Sequence, residues 1–299
     1  MAHDIYLYGQ ILRSNCFLLK GAYPQEDTYG EIEMQYQVSG GETANAATVL
    51  CSLGCSVKMS GPFMGRKTMP FMQEFYANKA CDLSSLDYDE TFDGLEDNVI
   101  IAQSGRTVLG RFQAFYADPI HRWSMPKRED IAQAKAATID PYFGEATQKA
   151  AEYCHELNVP YVAIDCDYDS DLHRWSAVNV VSNEFYREHY AQEERDEVLR
   201  KYMENSEGLT IFTLGAKEIR YGRKGGEIKS FKPYSIKVRS TLGAGDTFKA
   251  GCTYALWAGM SDDELVAFAA ACSGVACTRF PLPLNPPTME DVKALMAQR

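Results

Sequence analysis

Apolar faces of helical period alternate with short β-rich runs over most of the chain after residue 146, and this alternation constrains the fold more than any other feature. Ala146, Ala150, Tyr153, Cys154 and Leu157 fall on one helical face. The runs PYVAID (residues 160 to 165) and AVNVV (177 to 181) follow it. LTIFTL, a turn at Gly215 and short strands up to Val238 lead to a glycine-rich loop that enters a helix from Thr247 to about Trp257. Phe248, Cys252, Ala255 and Leu256 line one side of that helix. Ser261 with Glu264 three residues later is a capping-box signature for a further helix, which buries Leu265, Phe268, Ala269, Cys272, Val275 and Ala276. Upstream, Ala46, Val49, Leu50 and Leu53 make another such face, stopped by Gly54 before VKM. Alternation of this kind predicts an α/β chain with an open, mostly parallel sheet flanked by helices.

Residues 5 to 39 and 96 to 116 break the rhythm. In the second segment VIIAQ and TVLGRF flank Ser104-Gly105-Arg106, a polar break that reads as a hairpin turn. These strands are expected to form a small separate sheet. No repeat, low-complexity tract or linker divides the 299 residues, so they are read as one α/β domain, 1 to 299, carrying that sheet.

The charge balance narrows the partners. A formal net charge of −11 argues against a phosphate-backbone partner, which needs clustered Lys and Arg, and favours small molecules. No apolar run approaches the roughly 18 residues of a membrane span. Asp4 and the lack of a basic leader argue against a secretory signal, so a cytoplasmic location without membrane attachment is expected. The nine cysteines include no C-x-x-C pair and read as reduced core thiols.

The strongest chemical signal is Gly243-Ala244-Gly245-Asp246, between a strand and an apolar-faced helix. Successive backbone N–H groups at a helix N-terminus form an anion site, and glycines let a phosphate approach closely. A carboxylate there would repel phosphate unless it had work to do, such as taking a proton from an attacking hydroxyl. The alternative is a tight turn with Asp246 as N-cap. Far upstream, Gly40-Gly41 precedes Asn45, whose amide offers both a donor and an acceptor to a polyol hydroxyl; taken alone, Asn45 reads as a local cap.

Together the stretches GGETANAATVLCSLG and STLGAGDTFKAG, about 200 residues apart, resemble the ribokinase-like family of sugar and nucleoside kinases, also named after a minor bacterial phosphofructokinase. The likeness extends to the lid-like SGRTVLG hairpin, a strand ending at Asp165, the Asn183-Glu184 pair and TLG at Thr213 to Gly215. The resemblance implies Asp246 as catalytic base, with Gly243, Ala244 and Gly245 as the backbone anion hole. It places Gly41 and Asn45, beside Gly40, on the sugar, and Asn183, Thr213 and Gly215 on the nucleotide side. It implies ATP and Mg²⁺ as cofactors, a sugar or related polyol as substrate, and a β lid at about residues 10 to 39 and 96 to 118 that often clasps a partner subunit, hence a homodimer. A nucleoside kinase of the same family, or a catalytically weak sugar sensor with the same fold, are the rival readings.

Departures limit the carry-over. The family's acidic acceptor contact aligns with Ser14, beside Asn15, so substrate recognition must differ. The N-x-x-E element reads Asn183-Glu184-Phe185-Tyr186, leaving Glu184 as the candidate for Mg²⁺. Ser240 and Leu242 replace the pair associated with monovalent-cation activation, so strong K⁺ activation is not expected. Glu218 and Pro281 each replace a glycine, which suggests a reshaped adenine pocket. Arg13, Arg106 and Arg111, in lid-like segments, either face a phosphorylated or acidic acceptor, with Arg106 the candidate substrate contact, or are solvated hairpin charge.

Three superficial matches fail on spacing. GPFMGRKT (residues 61 to 68) is one residue short of a P-loop and has Arg66 before Lys67. The Asp165, Asp167, Asp169, Asp171 series lacks the glycine and final glutamate of a calcium loop. Gly243 and Gly245 are followed by Phe248 where a dinucleotide fingerprint requires glycine.

Overall fold

The computed structural model of the chain describes residues 3–103 and 105–298. Two sheets organise it. The strands are β1 (Ile5–Tyr8), β2 (Leu12–Leu19), β3 (Ile32–Gly40), β4 (Val57–Ser60), β5 (Cys81–Asp82), β6 (Glu96–Ala102), β7 (Gly105–Gly110), β8 (Ala136–Ile139), β9 (Tyr161–Ile164), β10 (Val178–Val181), β11 (Leu209–Thr213), β12 (Ile219–Gly222) and β13 (Lys229–Phe231). Nine form one sheet in the order β13-β12-β11-β10-β9-β8-β1-β4-β5, and four form another in the order β3-β2-β6-β7.

The large sheet is parallel from β5 to β11, with β12 and β13 antiparallel at one edge. Its central strands β1, β8, β9 and β10 are buried along their whole length, as strands covered by helices on both faces must be. That explains one correction. Residues 5 to 8, expected with the irregular segment, form β1 at the heart of the large sheet, because IYLY is apolar on both faces and can be satisfied only between two helical layers. The chain first builds outward from β1 to β4 and β5, then returns to place β8 on the other flank of β1. Side chains just beyond the carboxyl ends of β1 and β8 therefore meet at a crevice where the winding reverses.

The small sheet holds the rest of the expected segments. β2 pairs antiparallel with β3 and parallel with β6, and β6 turns back into β7 through the expected hairpin, whose Ser104 lies outside the described residues. Cys16, Val38, Val99 and Ile101 on its inner face form a core with Phe280, and Leu242 packs against it. The sheet is thus fastened to the loop that precedes the glycine-rich motif.

Helix Ala244–Trp257 begins three residues earlier than expected. The capping box is present: Glu264 accepts from both the Ser261 N–H at 2.9 Å and its hydroxyl at 2.6 Å. All nine cysteines are free, six buried and Cys51, Cys81 and Cys277 half-buried. Among the described residues no helix is long and apolar enough to cross a membrane.

Candidate active site

Helix Ala244–Trp257 starts at Gly243, whose φ of 74° is a left-handed conformation suited to glycine. The Ala244 N–H donates back to the Thr241 carbonyl at 3.2 Å, while those of Gly245 and Asp246 lack an intrahelical acceptor and enter the cavity at the positive end of the helix. Asp246 is the third residue of the helix, so it is not the N-cap.

Asp246 is half-buried, and its Oδ2 accepts from Asn45 Nδ2 at 2.7 Å across 201 residues of sequence. Asn45 thus does not cap its own helix; it fixes the carboxylate. Its helix, Glu42–Ser52, starts after Gly41 at φ 86°, where a Cβ would lie 2.4 Å from the Gln10 carbonyl oxygen. The close passage of Gly41 over the end of β1 sets the height of Asn45.

Behind Asp246 lies an ion pair that sequence reading missed. Lys249, one helical turn on, is fully buried and bonds Asp140 Oδ1 beyond the end of β8. Asp140 Oδ2 also accepts from the Gln10 N–H at 3.0 Å and the Thr43 hydroxyl at 2.7 Å. Burial by itself would lower the Lys249 pKa; Asp140, Glu42 and Asp246 outweigh it and raise it, so the ammonium persists. Burial pushes the Asp246 carboxyl above its ordinary value, while Lys249 and the Asn45 donor pull it back. Glu42 is pushed well up, first by burial and then by Asp140 and Asp246, and it accepts from the Tyr142 hydroxyl at 2.6 Å. A lysine three residues after an aspartate on one helix face was the available signal, as was the parallel between ATID and VAID, in each of which an aspartate directly follows a strand.

These groups border a cavity of about 390 Å³ between the two sheets, within the size range of small-molecule sites. Gly40, Gly41, Asn45, Gly243, Ala244, Gly245 and Asp246 line it, as do Ser14 and Arg106 from the small sheet. Arg106 spans the gap, donating to the Thr241 carbonyl at 3.2 Å and approaching Glu184 Oε2 at 3.8 Å. Both members of that ion pair are exposed, Arg106 at 40% and Glu184 at 75%. Asp97, Glu42, Tyr142 and Asp165 also line the cavity and were not singled out as site residues.

Other expected residues lie elsewhere. Asn15 alternates with Ser14 along β2 and faces outward, donating to the Asp97 carbonyl at 3.3 Å and accepting from Gln37 at 3.0 Å. Arg13 pairs with Glu96, and Arg111 is exposed. Asn183 begins the helix after β10, Thr213 ends β11 and Gly215 follows with φ 63°. All three follow the carboxyl ends of large-sheet strands, and none lines the cavity. Glu184 does line it, with Asp165 and Ser182, which also border an adjoining cavity of about 440 Å³ toward His189. Among the described residues no three His, Cys, Asp or Glu side chains cluster as a metal cage. Ser240 accepts from the Leu242 N–H at 3.1 Å. Glu218 is engaged by Ser230 at 3.0 Å. The Asp165 series resolves into a helix start, with Ser170 capping His173 at 3.2 Å.

The model of the pfkB family carbohydrate kinases matches residues 19–282. The chain is 25% identical over 175 residues to the 5-dehydro-2-deoxygluconokinase of Listeria monocytogenes, a match covering 58% of this chain and 50% of that protein. The match therefore spans about half the length of the curated relative. Among solved structures, the Arabidopsis thaliana ribokinase complexed with ribose and ATP superposes with a TM-score of 0.82 at 16% identity, covering 99% of both chains. The Methanocaldococcus jannaschii nucleoside kinase gives 0.79 at 17%, covering 100% of this chain and 99% of the other. At such identities they speak to the fold, which is that of ribokinase. With the glycine-entered helix, the two-sheet cavity and a family match over nearly the whole length, the chain belongs to the pfkB family of carbohydrate kinases.

Proposed function

We propose that the protein is an ATP-dependent kinase that phosphorylates a hydroxymethyl group of a sugar or related polyol. One observation carries this: Asp246, fixed by Asn45, stands in the first turn of a helix whose free N–H groups enter the same cavity. An acceptor hydroxyl in that cavity gives its proton to Asp246 as its oxygen bonds to the γ-phosphorus of ATP and the bond to the leaving ADP oxygen breaks. The Gly243-Ala244-Gly245 turn is the proposed anion hole; the free N–H groups of Gly245 and Asp246 at the helix start stabilise charge on the phosphoryl oxygens in flight, the Ala244 N–H being taken by the Thr241 carbonyl. Lys249 neutralises Asp140 and keeps a positive charge behind Asp246, which favours the ionised base.

Asn183, Thr213 and Gly215, at the ends of β10 and β11, are the proposed nucleotide contacts. Mg²⁺ prefers one or two carboxylates plus phosphate oxygens to an all-protein cage, and the oxygen donors Glu184 and Asp165 on one cavity wall fit that preference. When bound, the ion would neutralise charge on the phosphates. The small sheet acts as a lid that keeps water from competing as acceptor. We further propose a homodimer formed through this lid and no strong dependence on K⁺, because Leu242 packs into the small-sheet core and has no side-chain ligand. A many-fold rise in rate on replacing an inert organic cation with K⁺ would overturn the latter.

The test is turnover of ATP against a panel of ketoses, amino sugars and nucleosides, with Asp246→Asn as control. That variant should lower kcat by about 10² to 10⁴ and keep acceptor binding. Near-normal turnover in the variant sinks the assignment of the base. Preference for nucleosides would make it a nucleoside kinase, and tight sugar binding without turnover would make it a sensor.

A further inference from the structure

We propose that Asp97, on the inner face of the small sheet, is the carboxylate that receives the hydrogen-bond donors of the acceptor, hydroxyls or an ammonium group. This rests on the kinase reading only in taking the cavity as the acceptor site. Ser14 on β2 and Asp97 on β6 are directly opposite each other in the parallel register, and both line the cavity. The acid absent from Ser14 is thus present one strand away at the same level.

Asp97 is 7% exposed, and its Oδ1 has no hydrogen-bond partner. A carboxylate so deeply buried is ordinarily paired, since an unmet charge costs far more than an unmet neutral group. Leu12, Cys16, Val38 and Val99 make its wall apolar. The basic groups of the region are engaged elsewhere: Arg13 with Glu96, Lys67 with Asp93, and Arg106 with the Thr241 carbonyl. Burial pushes the Asp97 carboxyl up to about 6, with the Ser14 hydroxyl drawing it back. A second unpartnered buried oxygen, Glu42 Oε2, belongs to the same cavity. Neither oxygen is hydrogen-bonded to a cation, and the unmet Asp97 carboxylate matches an acceptor rich in donors and repels one that is already phosphorylated or acidic.

The experiment measures binding and phosphorylation of D-ribose, D-fructose, D-glucosamine and D-gluconate by the full chain and by Asp97→Asn, a substitution of nearly equal shape. The best-bound of the first three should lose at least about tenfold in affinity or KM, the scale of one charge-assisted hydrogen bond, with KM for ATP unchanged. D-gluconate, the poorest at first, should gain. A loss greater for D-glucosamine than for the neutral sugars identifies an ammonium as the donor; an equal loss identifies hydroxyls. Unchanged KM for every sugar bound overturns the proposal.

Melting without any sugar gives an independent answer. A folded-state pKa above the unfolded value means that the ionised carboxylate weakens the fold as pH rises from about 4 to 6. Cys16 on β2 faces Asp97, and Glu42, Asp165, Glu184, Asp246 and Arg106 share its cavity; all are retained in the variant. Asp97→Asn should therefore melt at or above wild type at pH 7.5, with any advantage shrinking toward pH 5. A lower melting point at pH 7.5 marks a structural carboxylate and overturns the proposal, and should none of the four sugars bind, this arm decides alone. Failure of the kinase reading shows separately, as absent phosphorylation despite intact sugar binding.

Discussion

Asp246 can act as a base only in its ionised form, and its neighbours pull its protonation in opposite directions. Burial favours the neutral acid, while the buried Lys249 ammonium and the Asn45 amide favour the carboxylate. Asn45→Ala removes a donor that favours the ionised form, so the Asp246 pKa should rise. Turnover falls as pH drops through that pKa, and the acid limb of the kcat profile should accordingly move to higher pH. A hydrogen bond to a charged group is worth about 1.5–3 kcal/mol, but water can replace the amide at a half-buried site, so the shift should stay below about one pH unit. An acid limb that stays in place would show that Asn45 serves the acceptor alone. Each member was legible in its own local motif, but Asn45 was expected on the sugar, and its bond to Asp246 across 201 residues was not foreseen. Lys249 and Asp140 were not legible: an isolated lysine in an apolar helix reads as a solvated charge, and only the return of the chain to β8 brings Asp140 to it across 109 residues.

Between elements, the height of the Asp246 helix over the sheet depends on how closely it crosses helix Asp262–Cys277. A Cβ at Gly251 would lie 2.7 Å from the Ala269 Cα, a backbone atom that cannot rotate away. Gly251→Ala would gain up to about 1 kcal/mol of helix propensity, yet must force the helices apart. Overpacking of this kind usually costs about 1–3 kcal/mol, so a net loss of stability in urea unfolding is expected, with a fall in kcat as Asp246 shifts. Unchanged stability would mean that the crossing yields freely and does not set the site. The elements that were legible were those with their own period and punctuation, such as the capping box at Ser261 and the hairpin around Gly105. β1 was not, because four apolar residues carry no alternation and lie beside a segment of irregular texture. Asp97 was hidden for a related reason: its relation to Ser14 is a register between strands about 80 residues apart, and register is set by pairing in space.

Across the whole molecule, the small sheet has one face on the cavity and the other turned outward. Ser14, Cys16, Asp97 and Val99 point in, so Asn15, Phe17, Asn98 and Ile100 point out, with Leu109 at 49% exposure beside them. Phe17 and Ile100 are half-buried neighbours on that outer face. A four-stranded sheet with apolar side chains on its solvent side is under-covered for a lone chain, and a second copy meeting it in the same way would bury them about a two-fold axis. The chain should therefore sediment as a dimer at micromolar concentration. Phe17→Lys with Ile100→Lys places two like charges per copy on that face without touching the cavity side, and should shift the protein to a monomer. Because the lid's inner face remains intact, the contact proposed for Asp97 should survive, and what falls should be the rate at saturating acceptor, since a lid clasped by its partner excludes water better than one held by a single edge. A wild-type monomer, or a double variant that remains dimeric, would place the interface elsewhere or remove it.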